Sequence, residues 1–313
     1  MTDIPGISLR SLECSPDTVE LAHACAEWGF FRLVDHGIKQ SESERFLNAV
    51  RLFFAQDAAS KASVRRTESN PWGYYDNELT KNRRDWKEIY DLGVDQEDAR
   101  WESRTPWPAG LPGFRTTMLE WHHRCEQISQ TIIAAVARSL GQPPDRLQPF
   151  FAPVNSSFLR LNHYPVCESP ADPAADFPET GHLGIYHHTD AGALTVLLQD
   201  DDVPGLQVRH GDKWHTVSPE PGSLIINVGD MVQVWSNDRY RAPVHRVLAN
   251  PSRARYSAAF FFNPAFSTDC EPLVSESHHY RPINWGEFRA ARAAGDYADV
   301  GEEVQISHYR TDG

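Results

Sequence analysis

The stretch YHHTDAG at residues 186–192 puts His188 and Asp190 two positions apart at the end of an apolar run. On an extended strand such a pair leaves the same face, about 6.6 Å apart along the backbone, while His187 and Thr189 point the other way. An aspartate beside apolar residues is costly to bury unless something positive pairs with it, so the stretch is either a solvated turn or a metal site. His245, opening the β-rich run VHRVLA, offers a third ligand from a separate strand. Two histidines and one carboxylate fill three coordination positions and leave three open, as non-haem Fe(II) oxygenases require.

Beyond His245, the run RYSAAFFFN places Arg255 and Ser257 on one strand face that continues through Ala259, Phe261 and Asn263. A guanidinium facing inward from an apolar strand needs an anion, and its planar fork beside a hydroxyl suits the far end of a dicarboxylate. The alternative is an ion pair with a remote Asp or Glu. The run FLRLNHY aligns Arg160, Asn162 and Tyr164, where an amide and a phenol could hold the near end of the same ligand. Phe261, Asn263 and Arg160 are candidate contacts for an organic substrate. Arg160 suits an acidic or polar substrate group, or equally a salt bridge within the protein.

His122 and His123 also look like ligands. They fall within a helix expected over residues 119–141, where neighbouring side chains diverge by about 100° and cannot share one metal, so surface or capping roles are expected.

The elements that must position these residues divide the chain. Residues 15–29 read as a helix running into the strand FFRLVDHGI, and residues 41–57 as an amphipathic helix with Phe46, Leu47, Val50, Phe53 and Phe54 on one stripe. After residue 150 come short β-rich runs separated by turns: SSFLRLNHY, LGIYHH, ALTVLLQ, GLQVR, KWHTV, SLIINV, VQVWS, VHRVLA and RYSAAFFFN. That spacing marks an antiparallel sandwich or barrel. The expected class is α+β, with a mainly helical region over residues 1–150 and a β domain over 151–313. The aromatic segment from Trp72 to Tyr90 and the Pro/Ala/Asp-rich insertion at 168–182 are candidate lids.

Lys plus Arg number 30 against 43 Asp plus Glu in 313 residues, a net charge of −13 that repels nucleic-acid backbones and anionic membranes. A small molecule is the expected partner. Five scattered cysteines without a CxxC pair indicate neither a disulfide framework nor a zinc ribbon, which suits a cytoplasmic setting. The opening residues lack the apolar run of a signal peptide, and no stretch approaches the roughly 20 apolar residues of a membrane span.

These residues also carry a resemblance. The blocks IPGISL, AEWGFFRLVDHGI, RRDWKEIYDLG, LRLNHYPVC, HHTDAGALTVLLQDDDVPGLQV, PGSLIINVGDMVQVWSNDRYRAPVHRV and RARYSAAFFFNP stand in order along nearly the whole chain. In this it resembles the isopenicillin N synthase-like group of Fe(II)- and 2-oxoglutarate-dependent dioxygenases, which includes plant gibberellin and flavonoid oxidases. H-x-D alone is weak; with a histidine 55 residues on and R-x-S ten residues after that, it is specific.

The resemblance implies a double-stranded β-helix (jelly-roll) core with the helical region packed around it. By position it implies His188, Asp190 and His245 as iron ligands. It likewise implies Arg255 and Ser257 as partners of the distal carboxylate of 2-oxoglutarate, with Tyr164 and Asn162 near that cosubstrate. The implied reaction oxidises a small organic molecule with O2 while 2-oxoglutarate becomes succinate and CO2. His163 stands where many plant members have Tyr, on the face away from 162 and 164, so little consequence is expected. Two alternatives are a 2-oxoglutarate-independent iron oxidase of the isopenicillin N or ethylene-forming type and a non-catalytic small-molecule binder. A zinc hydrolase lacks its H-E-x-x-H helix here.

Overall fold

The structure is a computed structural model that describes residues 4–67, 69–93, 105–200, 203–273 and 277–311. In chain order its first part carries strand β1 (Gly6–Ser8), helices α1 (Leu9–Cys14) and α2 (Val19–Glu27), strand β2 (Phe30–Val34), and helices α3 (Gln40–Phe54) and α4 (Ala58–Ala62). Four short strands follow: β3 (Gly73–Tyr75), β4 (Leu79–Thr80), β5 (Arg83–Arg84) and β6 (Glu88–Leu92). The long helix α5 (Phe114–Ser139) closes this part. Next come β7 (Phe158–Tyr164), β8 (Leu183–His188), β9 (Leu194–Gln199), β10 (Leu206–His210), β11 (Lys213–Thr216) and β12 (Leu224–Val228). Helix α6 (Asp230–Trp235), strands β13 (His245–Leu248), β14 (Arg255–Phe262), β15 (Asp269–Cys270) and β16 (Ile283–Asn284), and helix α7 (Trp285–Gly295) complete the order.

Two sheets face one another as a jelly roll. The larger has eight strands in the order β1-β2-β12-β9-β14-β7-β6-β3, the smaller four in the order β11-β10-β13-β8. Strands from before residue 150 thus flank both edges of the large sheet. The turn from α2 into β2 needs Gly29, at φ +63°, because a Cβ there would lie 2.5 Å from the Arg241 carbonyl oxygen.

The period of two on β14 separates two chemistries. Ala258, Phe260 and Phe262 turn outward into the apolar core beneath α3 and α5, which buries Met118, Trp121, Cys125, Ile128, Ile132 and Val136. Each large apolar side chain so buried contributes about 1.5–3 kcal/mol. Arg255, Ser257, Ala259 and Phe261 turn inward, between the sheets.

Three expectations change. VQVWS reads as a β run but lies in α6. Met231, Val232, Val234 and Trp235 are all buried, so no polar face marks the period, and Asp230 N–H and Met231 N–H are claimed by the Asp190 and Gly192 carbonyls at 2.8 and 3.0 Å. His122 is not on the surface: it is buried against the edge of Phe260, ring centroids 4.8 Å apart, while His123 is exposed. It lies on the α5 stripe that faces the sheet, where helix geometry outranks residue polarity. No residue of the 168–182 insertion lines the cavity between the sheets; Arg246 holds it through the Pro173, Ala175 and Asp176 carbonyls at 2.8–3.0 Å.

Candidate active site

His188 ends β8 and His245 begins β13, and the antiparallel register of these strands sets the two directly opposite each other. Asp190 lies in the turn just beyond β8. Its Oδ1 stands 3.6 Å from Nε2 of each histidine, and the three donor atoms lie within 4.8 Å of one another. Each histidine donates its Nδ1–H to a backbone carbonyl, His188 to Tyr186 at 2.7 Å and His245 to Pro243 at 3.0 Å, so both Nε2 lone pairs face the common centre.

The other Asp190 oxygen is occupied. Thr195 and Asn227 both donate to Oδ2, leaving Oδ1 free to ligate. Burial alone raises the Asp190 carboxyl, but His245, His188 and the Thr195 hydroxyl outweigh it and hold it well below the carboxylate range. Burial, reinforced by His188, pushes His245 down to about 4, so its imidazole is neutral, as ligation requires. The turn closes because Gly229 packs flat on Gly192: a Cβ on Gly229 would run into the Gly192 carbonyl oxygen.

Across the cavity, β14 register sets Arg255 opposite Tyr164 and Ser257 opposite both Asn162 and Gln199. Arg255 is 2 % exposed, donates to Gln199 Oε1 at 2.9 Å, and lies over the Tyr164 ring at 5.0 Å. Among the described residues it makes no ion pair. Its Nε and Nη1, the Gln199 Nε2 and the Asn162 Oδ1 are buried without hydrogen-bond partners. A guanidinium so buried wants an anion, and a second amide donor beside it suits a carboxylate. Metal-ligand atoms at one end and an orphaned cation at the other therefore fit a chelating acid with a distal carboxylate.

The cavity holding both features is about 170 Å³ and is also lined by Phe158, Arg160, Asn162, Tyr164, Phe261 and Asn263. Phe261 stacks on Phe158 with centroids 4.8 Å apart, and Asn263 donates to the Ser156 carbonyl. Arg160 is on the wall but already committed: it holds Asp91 through Nε and Nη2 and Glu78 through Nη1, at 2.8–2.9 Å. Glu78 also binds Lys87 at 2.6 Å, Lys87 reaches Asp85 at 3.0 Å, and Arg66 pairs with Asp91. Burial opposes ionisation of Glu78, yet Arg160, Lys87 and Arg66 keep its carboxyl well below the usual range.

Sequence reasoning missed Gln199, Thr195, Asn227 and this charged cage. Thr195 and Gln199 had a signal, since the period of two puts them on one face of an otherwise apolar strand. Asn227 sits in an all-buried strand with no alternation, and the cage gathers Arg66, the stretch from Glu78 to Asp91, and Arg160 from three parts of the chain. Leu79 and Thr80 of the β4–β5 hairpin line the cavity, within the aromatic segment expected to cover it.

The chain is similar in sequence and in fold to known proteins. Residues 155–264 match the 2OG-Fe(II) oxygenase superfamily, and residues 4–110 match the family described as non-haem dioxygenase in morphine synthesis N-terminal. Jasmonate-induced oxygenase 2 of Arabidopsis thaliana is 32% identical over 302 residues, covering 92% of this chain and 78% of the relative. The crystal structure of JOX2 in complex with 2OG, Fe and JA superposes with a TM-score of 0.84 at 30% identity, over 98% of this chain and 88% of that one. That of the dioxygenase for auxin oxidation in rice gives 0.76 at 26% identity, over 99% and 100%.

Proposed function

The chain belongs to the 2OG-Fe(II) oxygenase superfamily, and from that premise we propose that His188, Asp190 and His245 hold its Fe(II) while Arg255, Ser257, Asn162 and Tyr164 seat 2-oxoglutarate. The protein is an Fe(II)- and 2-oxoglutarate-dependent oxygenase acting on a small organic molecule. Bound together, iron and cosubstrate supply the oxidising chemistry: O2 is consumed, 2-oxoglutarate leaves as succinate and CO2, and a C–H bond of the substrate is oxidised.

The chain's own residues supply placement and shielding. Asn227 and Thr195 fix the Asp190 carboxylate, Tyr186 and Pro243 carbonyls fix the histidine tautomers, and Arg255 with Gln199 and Ser257 takes the distal carboxylate. Phe261, Asn263 and Arg160 border the substrate, Arg160 with its charge already matched by two carboxylates. We assign the chemistry to residues 151–313 and a framing role to residues 1–150, in a cytoplasmic setting that the five free cysteines support. No helix among the described residues is long and apolar enough to cross a membrane.

The observation that carries the residue assignment is the buried, unpaired Arg255 sharing one cavity with three converging ligand atoms. Anaerobic Fe(II) loading followed by 2-oxoglutarate titration tests it. A saturable charge-transfer band that vanishes in His188→Ala and weakens in Arg255→Gln is expected. Iron bound without any band would favour a 2-oxoglutarate-independent oxidase.

A further inference from the structure

A second cavity, of about 720 Å³ and largely apolar, abuts the first. Four residues line both: Phe158, Arg160, Arg289 and Asp296. Arg289 and Asp296 are seven positions apart, Arg289 on α7 and Asp296 at its C-cap, hence two turns apart on one helix face and about 10 Å along the axis.

These two differ from the other charges at this end of the active cavity. Arg160 and Lys87 are bound to carboxylates, Arg292 donates to Gln305 and to the Thr189 carbonyl, and Glu303 accepts from the Lys81 N–H. Arg289 makes no hydrogen bond and no ion pair among the described residues; its guanidinium lies 5.7 Å over the Phe158 ring. The Asp296 side chain likewise has no hydrogen bond and no ion pair among them. Burial and nearby Glu78 push its carboxyl up to about 6, with Arg289, Arg160 and Arg66 only partly opposing them, which marks a carboxylate short of a close cation.

Arg66, Lys87 and Arg160 face Glu78, Asp85 and Asp91, three against three, and Arg292 and Glu303 add one charge of each sign, so the wall is balanced. Arg289 and Asp296, which attract each other without forming an ion pair, are the cation and the anion whose side chains have no hydrogen bond among the described residues. A ligand with a net charge would leave one of these uncompensated in a partly buried site. One carrying both signs would satisfy the two.

We propose that Arg289 and Asp296 together read a zwitterionic substrate, an amino acid whose carboxylate meets Arg289 and whose ammonium meets Asp296. Its side chain then points past Phe158 and Phe261 toward His188 and Asp190. The proposal rests on the oxygenase reading of this cavity and names the substrate class within it.

The test measures succinate release by the Fe(II)-loaded protein with 2-oxoglutarate and each of the twenty common L-amino acids, alongside their N-acetyl and methyl-ester forms. At least one amino acid should raise release about tenfold or more over the substrate-free rate, and blocking either end should abolish the rise. Calorimetric titration of the metal-free protein should show saturable binding of that amino acid and none of its blocked forms. Arg289→Gln and Asp296→Asn should each raise its KM about 10- to 100-fold, with partial recovery in Arg289→Lys. Stimulation by none of the twenty, or equal stimulation by the N-acetyl or methyl-ester form, overturns the proposal. The blocked ligands decide it even where a variant fails to fold. Absence of the Fe(II)/2-oxoglutarate band in the wild-type protein would instead strike the reading on which it rests.

Discussion

Asn227 donates its side-chain N–H to Oδ2 of Asp190 at 2.8 Å, and that bond decides which carboxylate oxygen is left for a metal. Partners of this kind hold a ligand's orientation, and their loss typically weakens metal affinity 10- to 100-fold. Asn227→Leu should therefore weaken Fe(II) binding by about that factor while all three ligands remain. Titration with Co(II) as a coloured surrogate reads it directly. Unchanged affinity would mean that Thr195 alone orients the carboxylate.

Arg255 couples stability to cosubstrate in opposite senses. Without an anion it is a buried charge with two orphaned donors, so Arg255→Met should raise the melting temperature of the ligand-free protein. The same change should remove a charged contact worth about 1.5–3 kcal/mol to 2-oxoglutarate, a rise in Kd of about 10- to 100-fold. Wild-type protein should gain thermal stability on adding 2-oxoglutarate and metal, and the variant should gain little. A variant less stable than wild type without ligand would show that Gln199 and Tyr164 satisfy the guanidinium by themselves.

The charged cage makes a separate prediction. Arg160→Met leaves Glu78 and Asp91 short of a cation in a buried site, and breaking such a pair costs about 3–5 kcal/mol. Urea denaturation should show a loss of that size. A loss below about 1 kcal/mol would mean that the guanidinium is loosely held and free to bind substrate.

What was legible in the chain follows from how each signal is written. Strand β14 and strand β7 announce their inward faces because side chains alternate locally, so Arg255, Ser257, Asn162 and Tyr164 fall on the cavity wall where alternation puts them. His188 and Asp190 share a local spacing, and His245 needed only a strand to stand on. Arg160 on β7 meets Asp91 on β6 and Glu78 beside the β4–β5 hairpin, and Lys87 meets Glu78 and Asp85, residues that flank that hairpin on either side; no spacing within one element encodes such pairings. Helix α6 escaped for a different reason: a fully buried segment has no polar face from which to read a period.

His122 occupies a polar-looking helix position yet is core. Burial is the main cause that lowers it from 6.5 to about 4, with Glu126 and the Ser157 backbone bond only partly opposing. The folded protein therefore holds His122 neutral, while the unfolded chain takes up a proton as pH falls below 6.5. Stability should be full above that pH and decline as pH drops toward about 4, by roughly 2–3 kcal/mol at pH 4.5 from this group. His187 and His245 move in the same direction, so the contribution is isolated by difference. His122→Gln should shrink the gap between unfolding free energies at pH 7 and pH 4.5 by about that amount, measured by urea denaturation of the metal-free protein. An identical gap in both proteins would place the acid sensitivity elsewhere, in the carboxylates of the charged cage.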